Sequence, residues 1–512
     1  MKKRLLKSTL LVSGMTTISR VFGLIRDVVI ATFFGPGVGV DAFIVAFRIP
    51  NFLRRLFAEG GFSQAFVPIL SEYKEQRSHE EVKALVDQTT ATLSLILFAV
   101  TIIGVLAAPI LVYVFAPGFA DEPAKQLLAG DMLRITFPYI LFISLTAMAG
   151  GILNTYQHFA IPAFTPVLLN VSLISCAIWL SPHLGEPIVA LAWGILIAGI
   201  TQLFFQFPFL MRLRLFPVPR FNRDKEGVNR ILKLMLPTLF AVSITQINLL
   251  VDTLIASFLT TGSISWLYFS DRLVEFPMGV FGIALATVIL PSLSQQHAKG
   301  SEEGYSATMD WALRMVFLIA IPAALGLALL AEAMLTTLFQ YNEFSELDVR
   351  MSAKSLMAYS VGLPAFIFIK VLASGFFSRQ DTVTPVKIGV VAMLSNIALN
   401  LILVGPLAHA GLALATSLSA FINAGLLYYF LYKRGNYKPS SGWFVYLLRL
   451  TLAVAAMVAV LAYWAPDISV WLDWNIYQRG LNLLVWVVGG GICYFIALLM
   501  FGIRPKQMTA PH

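Results

Sequence analysis

The chain is 512 residues long, 58% hydrophobic and only 12% charged, with a formal net charge of +9 and a mean hydropathy of +0.80. A soluble domain carries about 25% charged residues, so water is excluded as the main solvent of this one. The basic excess does not point to nucleic acid, because Lys and Arg fall mainly in short connections between apolar segments, where the positive-inside bias accounts for them.

Lys2, Lys3, Arg4 and Lys7 precede an apolar stretch that superficially resembles a secretory signal. Arg20, Arg26 and Asp27 interrupt it and no A-x-A-like cleavage site follows, so it reads as a retained first span. Apolar runs such as 93–115, 164–180 and 483–501 reach or approach the roughly 20 residues that a helix needs to cross a bilayer. Breaking the chain at its polar and Pro/Gly-rich stretches predicts fourteen transmembrane helices, starting near residues 10, 41, 86, 132, 161, 188, 231, 264, 308, 352, 384, 409, 443 and 479. The expected fold class is therefore all-α, a polytopic membrane protein.

Every second connection is basic. The N-terminus, 71–85, 211–233, 295–307, 378–387, 432–442 and the C-terminus hold about 22 Lys and Arg, against about three in the opposite set, which places both termini in the cytoplasm. The stretches 117–131 and 341–348 are acidic on balance, as external loops are. In 211–233, Arg212, Arg214, Arg220, Arg223, Lys225, Arg230 and Lys233 either specify a lipid or partner or simply fix topology. Cys176 and Cys493 lie in apolar runs and behave as small hydrophobes, with no disulfide and no metal expected. His158, His297 and His409 sit at loop edges, where a lone histidine is solvated.

An internal repeat recurs at an offset of about 223 residues. Val67-Pro68-Ile69-Leu70-Ser71 aligns with Leu290-Pro291-Ser292-Leu293-Ser294, Gly151 with Gly375, and Ala190-Leu191-Ala192 with Ala413-Leu414-Ala415. Fourteen spans then resolve into two six-helix lobes in pseudo-two-fold arrangement, 1–222 and 223–440, and an additional helix pair, 441–512. Six is even, so the lobes insert with the same orientation, and transporters of this design hold their substrate at the interface between repeats. The competing reading is a duplicated scaffold that transports nothing.

Ionisable groups inside spans cost roughly 2.5 kcal/mol or more each, so they mark function. Here they cluster in the first two spans (Arg20, Arg26, Asp27, Asp41, Arg48, Arg54, Arg55, Glu59) and in the eighth (Asp271, Arg272, Glu275), the second and eighth being equivalent in the repeat. Arg20 and Asp27 are seven apart and share a stripe. Arg55 and Glu59 are four apart and read as a local ion pair, leaving Arg54 the freer cation. Asp271 and Glu275 flank Arg272 and orient its guanidinium. Both clusters adjoin helix interrupters, Pro50 with Gly60-Gly61 and Pro277 with Gly279 and Gly282, and broken helices at matching positions point to a transporter site. The guanidinium fork binds phosphate oxygens in pairs, as an ammonium cannot, so Arg20, Arg26, Arg54 and Arg272 imply an anionic substrate, a phosphate or diphosphate. The alternative is that these arginines only pair with Asp27, Asp41, Asp271 and Glu275. The sequence contains no nucleotide-binding P-loop, no metal-ligand spacing of His or Cys and no nucleophile motif, so no enzymatic activity and no cofactor are expected.

Three stretches resemble the MurJ (MviN) lipid II flippase family: Ser19-Arg20-Val21-Phe22-Gly23-Leu24-Ile25-Arg26-Asp27, then Asp41-Ala42-Phe43, then Pro50-Asn51-Phe52-Leu53-Arg54-Arg55-Leu56-Phe57-Ala58-Glu59-Gly60. Ser265-Trp266-Leu267-Tyr268-Phe269-Ser270-Asp271-Arg272-Leu273-Val274-Glu275-Phe276-Pro277 and Ser378-Arg379-Gln380-Asp381 extend the resemblance. It implies the multidrug/oligosaccharidyl-lipid/polysaccharide exporter fold and a bacterial inner-membrane location. The implied substrate is the undecaprenyl-diphosphate-linked peptidoglycan precursor, moved outward by alternating access. It also implies a last helix pair that grooves the lipid tail.

The family's cavity cations map onto Arg20, Arg26, Arg54 and Arg272 and its acid partner onto Asp27, with Asp41, Asn51, Glu59, Asp271 and Glu275 in support. A sodium site known in some members maps onto Asp252, Asn396, Asn400 and Thr416, with Asn400 where one member has a second acid. A sodium ion, a proton or the membrane potential is thus the expected driving force. Arg449 either guides the headgroup or anchors the interface. Membrane lipids and cell-wall synthesis enzymes are the expected partners. The rival within the same superfamily is a cation-coupled multidrug antiporter, whose cationic substrates favour an acidic or aromatic cavity over an arginine-rich one.

Overall fold

The computed structural model describes residues 2–55, 62–220 and 226–504, so Glu59, Arg223 and Lys225 lie outside the described residues. Among those residues there are helices and connections and no strand. The chain divides into two compact units, Met1–Gly262 and Ser263–His512. The first contains α1 (Lys2–Phe34), α2 (Val38–Arg54), α3 (Ser63–Gln76), α4 (His79–Leu106), α5 (Ala108–Phe115), α6 (Pro123–Thr136), α7 (Tyr139–Thr155), α8 (Ala160–Ser175), α9 (Val189–Arg212) and α10 (Glu226–Ala256). The second contains α11 (Ser263–Pro277), α12 (Ile283–Ala298), α13 (Glu302–Leu329), α14 (Ala331–Phe339), α15 (Glu346–Phe377), α16 (Val383–Lys433), α17 (Trp443–Trp464), α18 (Ile468–Asp473) and α19 (Ile476–Met500).

Helices cover every segment expected to span, and among the described residues ten are long and apolar enough to cross a bilayer. The chain is thus an all-α, multi-pass membrane protein. The 51-residue α16 holds two expected spans in one run, broken at Ala408, whose φ of 48° and ψ of −130° are not helical. α1 and α2, which carry Arg20, Arg26, Asp27, Asp41, Arg48 and Arg54, fall outside the apolar set.

The internal repeat reappears in where helices start and stop. α2 and α11 end at Arg54 and Pro277, α4 and α13 run from His79 and Glu302 to Leu106 and Leu329, and α5 and α14 begin at Ala108 and Ala331. α6 and α15 begin at Pro123 and Glu346, α8 and α16 at Ala160 and Val383, and all five helix pairs keep the same offset. Local chemistry explains part of this register. The Ser78 hydroxyl accepts from the Glu81 amide to cap α4, and its equivalent Ser301 accepts from the Gly304 amide to cap α13. α10, which the sequence repeat assigns to the second lobe, packs in the first unit on α3, α4 and α5.

Within the bundles, small residues let backbones approach, as expected where the solvent is hydrocarbon and close packing drives association. A Cβ on Gly362 of α15 would lie 2.8 Å from Ser417 Cα of α16, so that crossing tolerates no side chain there. The second unit adds α17 and α19, which pack on α13 through Met315, Leu318, Leu450, Ala453, Met457 and Leu498. At the far end, Arg479 of α19 is buried and donates to four main-chain carbonyls, of Trp471 (2.9 Å), Leu472 (3.0 Å), Gln340 (3.1 Å) and Thr336 (3.4 Å). It thereby joins the C-terminal ends of α14 and α18 to α19. His409 is likewise buried, its ring tilted against Trp266 at 5.0 Å and hydrogen-bonded to the Met351 carbonyl at 3.0 Å. The solvated histidine expected at that loop edge is instead a packed one, because the break at Ala408 turns the chain back into the bundle.

Candidate functional site

In the first unit, α1 carries Arg20, Arg26 and Asp27 and packs along α8. Arg26 is the best-defined of the three. Its Nε and Nη2 donate to Asp27 Oδ1 at 2.9 and 2.7 Å, and its Nη1 donates to Asn170 Oδ1 at 3.0 Å. Asn170, buried on α8, completes the arrangement by donating to the Ser19 carbonyl at 3.1 Å. Gly23 lies beside this amide, and a Cβ there would make an ordinary contact with Asn170 Nδ2 at 3.8 Å. The guanidinium is pinned on two sides while its side chain keeps 12% exposure, and the acid beside it lessens the cost of an intramembrane cation. The shared stripe suggested Arg20 as the acid's neighbour along α1. The structure shows Arg26, adjacent in sequence, wrapping onto Asp27, with Arg20 half-buried further along α1.

α2 contributes the second group. Arg54 Nε donates to Asn51 Oδ1 at 2.9 Å, which ties Arg54, the last residue of α2, to the turn before it. Arg55 donates to Gln246 of α10 at 3.0 Å and Arg48 to Thr253 of the same helix, so both are tied into the first unit by neutral acceptors. Asp41, at the start of α2, meets Lys125 at 3.2 Å and accepts from the Gly262 amide at 2.7 Å. Lys125 is only 2% exposed and also approaches Glu122 (3.6 Å), the Thr261 hydroxyl (3.1 Å) and the ring of Phe119 (4.5 Å). Sequence reasoning offered arginines as the partners of Asp41 and treated Lys125 as part of an external loop. Lys125 and Asn170 are the two residues it missed, and the available signal was a single polar group standing against an otherwise apolar or acidic segment.

In the second unit, Arg272 Nη1 donates to Glu275 Oε2 at 2.7 Å and its guanidinium lies over the Tyr268 ring at 4.8 Å. Asp271 is half-buried beside it. The cluster sits on the last turns of α11, which ends at Pro277 and passes through a π-helical turn, Met278–Gly282, into α12. In the repeat this break matches the end of α2 at Arg54. Wide turns of this kind inside helices are frequent at functional sites, because they release backbone groups and re-aim side chains.

Of the expected cation ligands, three meet in the second unit. Asn400 Nδ2 donates to Asn396 Oδ1 at 3.1 Å, and Asn396 Nδ2 to Thr416 Oγ1 at 3.4 Å. Asp252 lies half-buried on α10 of the first unit. Among the described residues no three His, Cys, Asp or Glu side chains cluster as a metal site. Arg449 of α17 donates to the Gly502 carbonyl at 3.1 Å, capping the end of α19.

The family pattern for "Lipid II flippase MurJ" matches residues 30–478. The chain is 49% identical to the probable lipid II flippase MurJ of Vibrio cholerae serotype O1, over 99% of this chain and 98% of that one. Its structure is similar to that of a lipid II flippase MurJ in an inward closed conformation, with a TM-score of 0.81, 28% identity and coverage of 96% of this chain and 98% of that one. A multidrug resistance MATE transporter of the MOP superfamily shares the fold, with a TM-score of 0.70 at 15% identity over 83% of this chain and 98% of its own. With the family pattern covering most of the chain and a full-length relative at this identity, the chain belongs to the lipid II flippase MurJ family.

Proposed function

We propose that this chain is a lipid II flippase of the bacterial cytoplasmic membrane. It carries the undecaprenyl-diphosphate-linked disaccharide-pentapeptide from the inner to the outer leaflet by alternating access, for peptidoglycan synthesis, with both termini in the cytoplasm. The observation that carries this reading is the restrained, partly accessible guanidinium of Arg26, set inside a membrane helix by Asp27 and Asn170. An ionisable group placed there at such cost marks a functional site.

The first unit offers Arg20, Arg26 and Arg54, and the second Arg272, as phosphate ligands. Each guanidinium presents paired N–H donors that replace the hydration of diphosphate oxygens. Asp27, Asn51 and Glu275 hold these groups in place and keep the attraction moderate, so that the headgroup is released as well as bound; Asp41, Asp271 and Glu59 support them. No bond is made or broken, and the chain acts as a transporter rather than an enzyme. The prenyl tail stays in hydrocarbon, with α17 and α19 as the surface that follows it. Residues 1–222 and 223–440 act as the two lobes of the transporter and 441–512 as the tail-binding pair.

Turnover is driven by a cation held by Asp252, Asn396, Asn400 and Thr416, by a proton, or by the membrane potential. Membrane lipids surround the protein, and enzymes that make or consume the precursor are its partners.

Complementation in a flippase-depleted bacterium tests the reading. Arg26→Ala and Arg272→Ala, at normal membrane abundance, should cause lysis with precursor accumulating on the inner leaflet. Normal growth with both variants would overturn it. Transport that is unchanged when sodium is replaced by potassium in purified, oriented vesicles would remove sodium as the coupling ion.

A further inference from the structure

Asp310, on the first turns of α13, is 5% exposed and collects donors from three directions. Its Oδ1 accepts from the Tyr437 hydroxyl (2.8 Å), the Ser440 amide (3.1 Å) and Trp443 Nε1 (2.7 Å). Its Oδ2 accepts from the Ser440 hydroxyl (2.6 Å) and pairs with Arg314 Nε (3.0 Å). Tyr437 and Ser440 belong to the connection from α16, and Trp443 is the first residue of α17. Burial and the Asp310 carboxylate push the Tyr437 phenol above its ordinary value, so it remains a donor. Arg314 extends the cluster, donating to the Ser440 hydroxyl (2.7 Å) and the Ser441 carbonyl (3.2 Å), with its guanidinium over the rings of Trp443 (5.1 Å) and Tyr446 (5.4 Å). The Tyr446 hydroxyl returns a 2.6 Å bond to the Arg314 carbonyl.

The repeat supplies an independent observation. Asp87 of α4 occupies the position equivalent to Asp310, is equally buried, and accepts from the Val218 amide at 2.8 Å in the connection that leads from α9 into α10. Lys83 is its cationic partner, as Arg314 is for Asp310. In each unit a buried carboxylate on the same turn therefore seats the chain that enters the next long helix. The first instance has one connection amide on it. The second has acquired an aromatic hydroxyl, a serine and an indole, all directed at placing α17.

We propose that Asp310 is a positioning residue for transport: by holding the entry to α17 against α13, it fixes the terminal pair α17 and α19 where a substrate with a long apolar tail needs them. This rests on the flippase reading, which gives the substrate its tail. Beyond the polar cluster, apolar side chains pack the pair on α13, and the Tyr494 hydroxyl donates to the Leu318 carbonyl at 2.7 Å. Apolar contacts lose little when a helix slides in hydrocarbon, so the polar cluster is what sets the register. Removing the carboxylate leaves Arg314 and several donors facing no anion, which favours separation of the connection from α13.

The test compares two probes that share the diphosphate disaccharide-pentapeptide headgroup, one with the full undecaprenyl tail and one with a three-isoprene tail. Equilibrium binding is measured on the full-length protein in lipid nanodiscs. Asp310→Asn is expected to weaken the long-tailed probe about tenfold and to leave the short-tailed probe unchanged. Equal loss for both probes, or no loss for either, would overturn the proposal. If Asp310→Asn does not accumulate in membranes, the double variant Tyr437→Phe/Ser440→Ala, which keeps the carboxylate and removes two donors, carries the same comparison with a smaller loss. Failure of the unaltered protein to bind either probe would count against the flippase reading itself.

Discussion

Asn170 holds Arg26 and Ser19 at once, accepting from the guanidinium at 3.0 Å and donating to the Ser19 carbonyl at 3.1 Å, so that α8 fixes a side chain and a backbone turn of α1 together. A hydrogen bond to a charged group is worth about 1.5–3 kcal/mol, or roughly ten- to hundredfold in an equilibrium. Asn170→Ala should therefore lower precursor transport by at least about tenfold at unchanged membrane abundance, measured by accessibility of the labelled headgroup at the outer leaflet. A variant with the parental rate would show that Arg26 needs no support from α8.

Arg272 can be tested for fork geometry as distinct from charge. Arg272→Lys keeps the cation but not the paired donors, and should retain transport at about a tenth of the parental rate, a loss of roughly 1.4 kcal/mol, whereas Arg272→Ala should fall to background. Equal activity of the Lys variant and the parent, in the same outer-leaflet assay, would mean that a point charge suffices.

The crossing of α15 and α16 offers a stability prediction. Gly362→Ala would place a methyl 2.5 Å from Ser417 Oγ and 2.8 Å from its Cα, disturbing the 2.7 Å bond from Ser417 to the Ala358 carbonyl. Overpacking of this kind costs about 1–3 kcal/mol, so thermal unfolding in detergent should shift down by several degrees. An unshifted midpoint would show that the two helices can separate without cost.

Asp381, in the connection between α15 and α16, gives a pH prediction. Burial alone would raise its pKa, but the Thr384 hydroxyl (2.6 Å), the Thr384 amide (3.0 Å) and Arg434 (2.7 Å) outweigh that and bring it from 3.8 to about 2. A depressed carboxylate contributes stability that is complete above its unfolded value and is lost as pH falls through the folded one. The parent should therefore lose an increment of thermal stability between pH 3.8 and about 2 that Asp381→Asn lacks, and above that window the variant should be the less stable of the two. Parallel melting curves for the two proteins would expose a mistaken sign.

The long apolar runs and the repeat were legible in the sequence because hydropathy and periodicity are summed over many residues. Their agreement with the helix starts at His79 and Glu302 follows from the capping serines, Ser78 and Ser301, that recur with the repeat. The intramembrane arginines were legible for a different reason: their cost makes each one conspicuous. What stayed hidden was the choice of partner. Nothing in the pattern of α8 says that Asn170 faces Arg26, or that Lys125 turns inward to Asp41, because a single polar side chain has no periodicity and its partner lies far along the chain. Asp310 escaped for the same reason, its donors lying more than a hundred positions away.

Arg479 donates to main-chain carbonyls and lies over the Tyr341 ring at 5.7 Å, with no carboxylate among these contacts, and this sets it apart from the carboxylate-bound arginines. Amide oxygens do not take up protons in the range where carboxylates do. The junction of α14, α18 and α19 is consequently fastened by hydrogen bonds whose acceptors stay the same whatever the protonation of the protein's carboxylates.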